Sequence, residues 1–415
     1  MGYTKDLWTR PEEQPDGKVK RVPNSRWGKG KRYLACWLDP DGRERSQAFT
    51  TKRPADKHWQ KMETDRDRGE YHDPKAGRAD FDGIAQRWLK SRVVDPSSKI
   101  RYESVYRLHV KPVFGGAVKR IRASDVQMFQ AELGERLGPS TVAAARLVLL
   151  GILDLAVEDQ LIKKNPARSR VVDTVSVDDG EKIQAWSSER VFKLIDGHPE
   201  SLRLLPTIGA TAGLREGELF GLAWEDIDFD EQVIHVRRQL KKLGRHTVYA
   251  LPKNDRERVV PLPAWTAESI RVYVAKYKPV PLTLPWEKPD GKPRTHNVLF
   301  RWIDGGHMKP RAYSETVWKP ALVAAKIIPE PTKDKRGRRR YVTTRREGTH
   351  QLRHHYASVM LAGGVNIKEL SEYLGHADPG FTLRIYAHML PDSHERARKV
   401  IDERMFRPRA VADGT

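Results

Sequence analysis

Residues 349–388 read THQLRHHYASVMLAGGVNIKELSEYLGHADPGFTLRIYAH, three successive helical patterns on one short stretch. On a helical wheel of about 100° per residue, Leu352, Tyr356, Val359 and Met360 fall on one side, and His350, Arg353 and His354 on the other. The apolar stripe predicts a core-facing helix, with His350 and Arg353, three apart, pointing the same way off it. Taken alone, that pair favours the solvated face of an ordinary amphipathic helix. Asn366 then reads as a cap, Ile367, Leu370 and Leu374 share a face, and Gly375 reads as a stop. His376 follows the stop, and the turn ADPG leads into a further helix carrying Tyr386. This order permits His350, Arg353, His376 and Tyr386 to converge, and spacing alone does not require it. Tyr386 is one of 13 tyrosines. An unassisted phenol is a poor nucleophile at neutral pH, so its reading as core, exposed ring or nucleophile turns on neighbours from elsewhere in the chain.

Two upstream stretches offer such neighbours. In ATAGLREGELFGLAWEDIDF (210–229), Arg215 follows a Gly-Leu pair at the start of a helix whose Leu214, Leu219 and Leu222 read as buried. A surface arginine paired with Glu218 across one turn fits the same residues. In LPKNDRERVVPLP (251–263), Lys253 stands where one strand ends and Asn254-Asp255 turns into the next. In isolation, a lysine on a hairpin tip is usually just solvated.

Composition narrows the partner. The 415 residues suggest two or three domains. Lys and Arg number 76 against 55 Asp and Glu, a net charge of +21 that is spread over the whole length. Such a surplus suits a long polyanion, whose counterions are released on binding, and it suits a merely soluble basic protein about as well. The single cysteine, Cys36, excludes an internal disulfide framework and Cys-based zinc sites, and fits a reducing cytoplasm. The start, MGYTKDLWTR, lacks an apolar signal-type region, and the most apolar stretch, VAAARLVLLGILDLAV (142–157), contains Arg146 and Asp154. The expectation is a protein neither secreted nor membrane-spanning.

Periodicity divides the chain. Residues 1–71 carry short alternating runs, KRYLACWL and ERSQAFT, joined by DPDGR and followed by one polar helix. Residues 72–80 read as a linker. From 81 to 170 the period is helical, with Phe81, Ile84, Trp88 and Leu89 on one face and Val142, Ala145, Leu149, Ile152, Leu153 and Ala156 on another, about four helices in all. Residues 171–182 read as a second linker. Residues 183–400 are mixed: helices, three short antiparallel strands in QVIHVRRQL, HTVYALP and RERVVPLP, and helices again after about 310. The run KDKRGRRRYVTTRR (333–346) reads as a mobile basic loop that phosphate would order, and 401–415 as a tail.

Taken together, AGLREGEL, PKNDRERVVPL, HQLRHHYAS, LGHADP and LRIYAH, in this order and at these separations, resemble the catalytic boxes of the tyrosine site-specific recombinases, the phage lambda integrase family. The resemblance is close over the third segment. The second segment looks like that family's core-binding domain, and residues 1–71, more weakly, like its small arm-type DNA-binding domain. The fold implied is mainly α with small β-sheets, an α+β architecture. It comprises a small three-stranded N-terminal domain, a helical core-binding domain and a mixed helical catalytic domain with an antiparallel sheet.

Matched position by position, the resemblance assigns the catalytic set to Arg215, Lys253, His350, Arg353, His376 and Tyr386, none of them replaced. It implies that Tyr386 is a nucleophile linked transiently to a DNA 3′ phosphate, and that Arg215 and Arg353 hold the non-bridging oxygens where charge builds. It further implies that Lys253 protonates the leaving 5′ oxygen, with His350 as general base and His376 as an orienting group. No metal, ATP or other cofactor is implied. The implied partners are double-stranded DNA at attachment sites, a homotetramer on that DNA, and a directionality or DNA-bending accessory protein, in the cytoplasm of a bacterial host. The activity would be integration or excision of a phage or mobile element. A type IB topoisomerase shares this chemistry and a non-catalytic DNA-binding regulator shares the basic surface. The N-terminal module and the LGH-to-Tyr spacing favour the recombinase over the first, and the intact set speaks against the second.

Overall fold

Near the N-terminus, β1 (Tyr3–Asp6), β4 (Tyr33–Leu38) and β5 (Glu44–Phe49) form an antiparallel sheet in the order β1-β4-β5, and α1 (Lys52–Asp67) packs on it. Ala35, Trp37, Ala55, Met62 and Tyr71 make its small core. Between β1 and β4 stands a separate hairpin, β2 (Thr9–Glu13) with β3 (Val19–Pro23), which the sequence reading does not contain. The computed structural model describes residues 2–15, 18–69, 71, 73, 76–174, 184–389 and 394–405. The expected linkers at 72–80 and 171–182 and the tail at 401–415 fall partly outside the described residues. The chain divides into two compact units, Met1–Asp179 and Gly180–Thr415.

The rest of the first unit is helical: α2 (Phe81–Ser91), α3 (Pro96–Val105), α4 (Ala123–Arg136) and α5 (Pro139–Glu158). Asp80 and Asp95 cap α2 and α3 through their side chains, and Pro96 and Pro139 occupy the first turns of α3 and α5, where no amide donor is needed. Both faces expected from periodicity are buried in one core with its own residue set. By length and composition α5 is apolar enough to cross a membrane; one face of it, including Val142, Leu149, Ile152 and Leu153, is buried in this core. It approaches α2 so closely that a Cβ on Gly151 would stand 2.4 Å from the Trp88 ring.

The second unit begins with α6 (Ser188–Asp196), α7 (Leu204–Ala212) and α8 (Glu216–Phe220). A small sheet follows in the order β10-β7-β6, from β6 (Ile227–Asp228), β7 (Val233–Val236) and β10 (Arg258–Pro261), while β8 (Gln239–Leu243) and β9 (His246–Ala250) form a hairpin of their own. The expected strand QVIHVRRQL is therefore split between two sheets. Next come α9 (Ala264–Lys276), a hairpin of β11 (Val280–Pro285) and β12 (Pro293–Val298), α10 (Pro310–Tyr313) and α11 (Lys319–Ala324). The basic run expected as a mobile loop contains a short hairpin, β13 (Thr332–Lys333) with β14 (Arg339–Arg340). Asp334 shapes that turn, accepting from the amides of Arg336 and Arg338 and from the Arg338 guanidinium.

The chain then forms α12 (His350–Ala362), α13 (Ile367–Leu374), α14 (Pro379–Tyr386) and α15 (His394–Met405). α12 is seated on α7 at two glycines one turn apart: a Cβ would lie 2.9 Å from Leu352 at Gly209 and 2.4 Å from Tyr356 at Gly213. These helices close the second unit's core, which includes Leu352, Tyr356, Leu370, Leu374 and Tyr386.

Candidate active site

The site is built around a left-handed glycine. Gly213 (φ 63°) ends α7, Leu214 is buried behind it, and Arg215 stands at the N-cap of α8. Glu218, three residues on, accepts the Arg215 amide at 2.8 Å and its Nη1 at 2.9 Å. The same carboxylate accepts two bonds from Arg258 on β10, at 2.9 and 2.6 Å, and is 1% exposed. Burial opposes its ionisation, yet the Arg258 hydrogen bonds with the charges of Arg258 and Arg215 prevail and bring its pKa down to about 2. The Arg215–Glu218 pair allowed for in the sequence thus exists, but as a partly buried clamp and not a surface pair, with the other edge of Arg215 donating to the Gly375 carbonyl at 3.1 Å. Arg258 also reaches the Tyr373 carbonyl at 2.7 Å, so one carboxylate and two carbonyls fix both guanidiniums.

The helix pattern of α12 taken alone puts Arg353 on a solvated face, whereas the side chain is 4% exposed. Its guanidinium donates to the carbonyls of Gly213 (2.8 Å) and Leu374, and to Nε2 of His376 at 3.0 Å. α12 is buried on two sides, by α7 and by the α13–α14 connection, while Val359 of the expected stripe is 50% exposed. Burial first, then the charge of Arg215, pulls Arg353 down to about 9, so it stays protonated at neutral pH.

Because Arg353 can only donate, Nε2 of His376 is the acceptor, its proton is on Nδ1, and Nδ1 donates to Thr382 Oγ1 at 2.7 Å. Burial and the charges of Arg353 and Arg215 hold this histidine neutral, with a pKa near about 3. His350, at the exposed start of α12, is lowered by desolvation and then by Arg353, Arg215 and Lys253. Lys253 is exposed in the connection from β9 to β10. These strands belong to different sheets, so the expected hairpin tip is instead a sheet-to-sheet link, turned by Asn254 (φ 70°) and Asp255 (φ 54°).

Tyr386, at the end of α14, is 1% exposed. Burial pushes its phenol up to about 12 against the opposing pull of Arg353 and Arg215. Its hydroxyl meets Nδ1 of His354 at 2.8 Å. All six residues singled out in the sequence line one cleft of about 460 Å³, together with His354. Among the described residues, no group of three or more His, Cys, Asp or Glu could hold a metal ion.

The sequence places His354 on the same side of its helix as His350 without giving it a role, and it does not single out Arg258 or Thr382. Arg258 and Thr382 left no local signal, since their partners lie on other elements.

Residues 184–392 match the phage integrase family. The chain belongs to that family, the tyrosine recombinases of phages and mobile elements. It is 25% identical over 329 residues to a XerC-like tyrosine recombinase of Caldanaerobacter subterraneus subsp. tengcongensis, covering 74% of this chain and 78% of that protein. It is 24% identical over 384 residues to the prophage phiRv2 integrase of Mycobacterium tuberculosis, covering 90% and 91%. Among solved structures it is similar to the Tn1549 transposon integrase in complex with transposon right end DNA (TM-score 0.61, 20% identity, 79% of this chain and 100% of that one). It is also similar to a lambda integrase tetramer bound to a Holliday junction (TM-score 0.52, 15% identity, 87% and 93%).

Proposed function

We propose that the protein cuts and rejoins DNA at specific attachment sites through a covalent phosphotyrosine, and so integrates or excises a mobile element. The observation that carries this reading is the convergence of Tyr386 with Arg215, Arg353, His350, His376 and Lys253 on one cleft from separate segments of the chain. The Tyr386 oxygen attacks a backbone phosphorus, the bond to the 5′ oxygen breaks, and Lys253, on its exposed link, gives that oxygen a proton. Charge building on the non-bridging oxygens meets Arg215 and Arg353, whose backs are already held by Glu218 and backbone carbonyls, so little reorganisation is needed. His350 and His376 flank the phosphate. The phosphotyrosine conserves the energy of the broken bond, so the 5′ hydroxyl of a second strand reverses the step without ATP.

Duplex DNA is the substrate in this reading, held chiefly through phosphates, and the +21 charge agrees with it. Residues 81–170 and 183–400 grip the core site as binding and catalytic domains, and residues 1–71 hold a second DNA site, raising its effective concentration near the first. Exchange between two duplexes requires four cuts and hence a tetramer, the state in which the lambda integrase structure meets its junction. A DNA-bending or directionality protein assists in the bacterial cytoplasm. The test is strand exchange between two duplexes bearing the element's end and target sequences, in chelator and without nucleotide. Recombinant products are expected; their absence with DNA binding intact, or a strict need for ATP, overturns the reading.

A further inference from the structure

The Tyr386 hydroxyl is buried, and among the described residues its one partner is Nδ1 of His354 at 2.8 Å. Counting hydrogens gives this bond its direction. The phenol carries one hydrogen. If Nδ1 were the donor, that hydrogen would be left inside the protein without an acceptor, which buried polar groups rarely tolerate. The phenol therefore donates to Nδ1, and the imidazole keeps its proton on Nε2. Burial, then the neighbouring His350 and Arg353, hold this imidazole neutral, with a pKa near about 4.

The other two histidines of the cleft are placed differently. His376 already spends Nε2 on Arg353 and Nδ1 on Thr382. His350 lies one turn before His354, its ring centre 6.4 Å away, and makes no hydrogen bond to the phenol. Building on the strand-cleavage reading, we propose that His354, and not His350, is the base that takes the Tyr386 proton.

As the bond from Oη to phosphorus forms and the bond to the 5′ oxygen breaks, the phenol proton passes to Nδ1 of His354, and Lys253 protonates the 5′ oxygen. Rejoining returns both protons. The groups facing the imidazole are His350 and Arg353 from its own helix and Tyr386 from α14. A phosphodiester brought against Arg215 and Arg353 carries a negative charge that offsets these positive neighbours, so the base gains strength when its substrate is in place.

The test is the single-turnover rate of covalent complex formation on a nicked suicide duplex by the full chain. It compares wild type, His354→Asn, His350→Asn and Tyr386→Phe from acid to alkaline pH. Asparagine sets an oxygen where Nδ1 stands, so it accepts the bond but cannot take the proton. His354→Asn should slow cleavage about 100-fold or more at neutral pH, with DNA affinity unchanged. The loss should shrink as pH rises, and 3-fluorotyrosine at position 386, a more acidic phenol, should relieve it. Whatever cleavage His350→Asn loses should be neither restored by rising pH nor relieved by 3-fluorotyrosine.

A His354→Asn rate within about threefold of wild type, or a loss equal at every pH and untouched by fluorotyrosine, overturns the assignment. A second measurement needs no folded variant at 354. In wild type labelled with ¹⁵N-histidine, Nδ1 of His354 should resonate as an unprotonated acceptor and shift in Tyr386→Phe; a protonated Nδ1 overturns the proposal. A wild type that forms no covalent complex overturns the strand-cleavage reading itself, whereas cleavage by wild type beside an unimpaired His354→Asn overturns only the identity of the base.

Discussion

Glu218→Gln is the sharpest probe of how the arginines are held. The carboxylate is 1% exposed and faces two guanidiniums, and its pKa falls from the ordinary 4.5 to about 2. At about 1.4 kcal/mol per unit, that depression corresponds to roughly 3 kcal/mol of stability at neutral pH. Breaking a buried pair by neutralising one partner costs about 3–5 kcal/mol by mutation, so the two routes agree. The sign follows from the depressed pKa. The contribution is fully present above the unfolded value near 4.5 and is lost as pH falls through the folded value near about 2. Hydrogen exchange read by mass spectrometry on peptides covering α8 and α13 should therefore show Glu218→Gln opening more easily by about 3 kcal/mol at neutral pH. The gap should narrow below about pH 4.5 and close near about pH 2, where the wild-type carboxyl is itself neutral. A gap under about 1 kcal/mol at neutral pH, or one of constant size down to about pH 3, refutes the clamp.

Two other substitutions test the site's supports. Gly213→Ala sets a side chain at φ 63° with its Cβ 2.4 Å from Tyr356; it should destabilise the protein by about 2 kcal/mol or more in thermal melts and slow cleavage through Arg215. Lys253→Ala should slow cleavage of an ordinary phosphodiester about 10²–10⁴-fold. On a substrate whose 5′-bridging oxygen is sulfur, a leaving group that needs no proton, the same variant should match wild type.

How much was legible in the sequence depends on whether the signal was local. The cap at Asn366, the stop at Gly375 and the buried faces of α2 and α5 follow from neighbours a turn apart. The six candidate residues were legible only through the resemblance of five ordered boxes to the tyrosine recombinases, since each local pattern alone fits an ordinary solvated or packed residue. The burial of Arg353 was not legible: a wheel separates two sides of a helix, whereas α12 is covered on both. The Glu218–Arg258 clamp joins residues 40 apart on different elements, and no period connects them. The hairpin of β2 and β3 is mostly exposed and charged, TRPEE against VKRVP, so it lacks the alternation that marks a half-buried strand. In 333–346, charge density suggested a mobile loop, but Asp334 supplies the turn chemistry that makes it a hairpin.

The central claim is that Tyr386 forms the covalent bond to DNA. The direct measurement is to incubate the full chain with a nicked suicide duplex carrying an attachment site, isolate the protein–DNA product under denaturing conditions, and map the modified peptide by mass spectrometry. The account predicts a nucleotide 3′ phosphate on Tyr386, a free 5′ hydroxyl on the released strand, and no product with Tyr386→Phe. Attachment at any other residue, or a product that survives Tyr386→Phe, would contradict it.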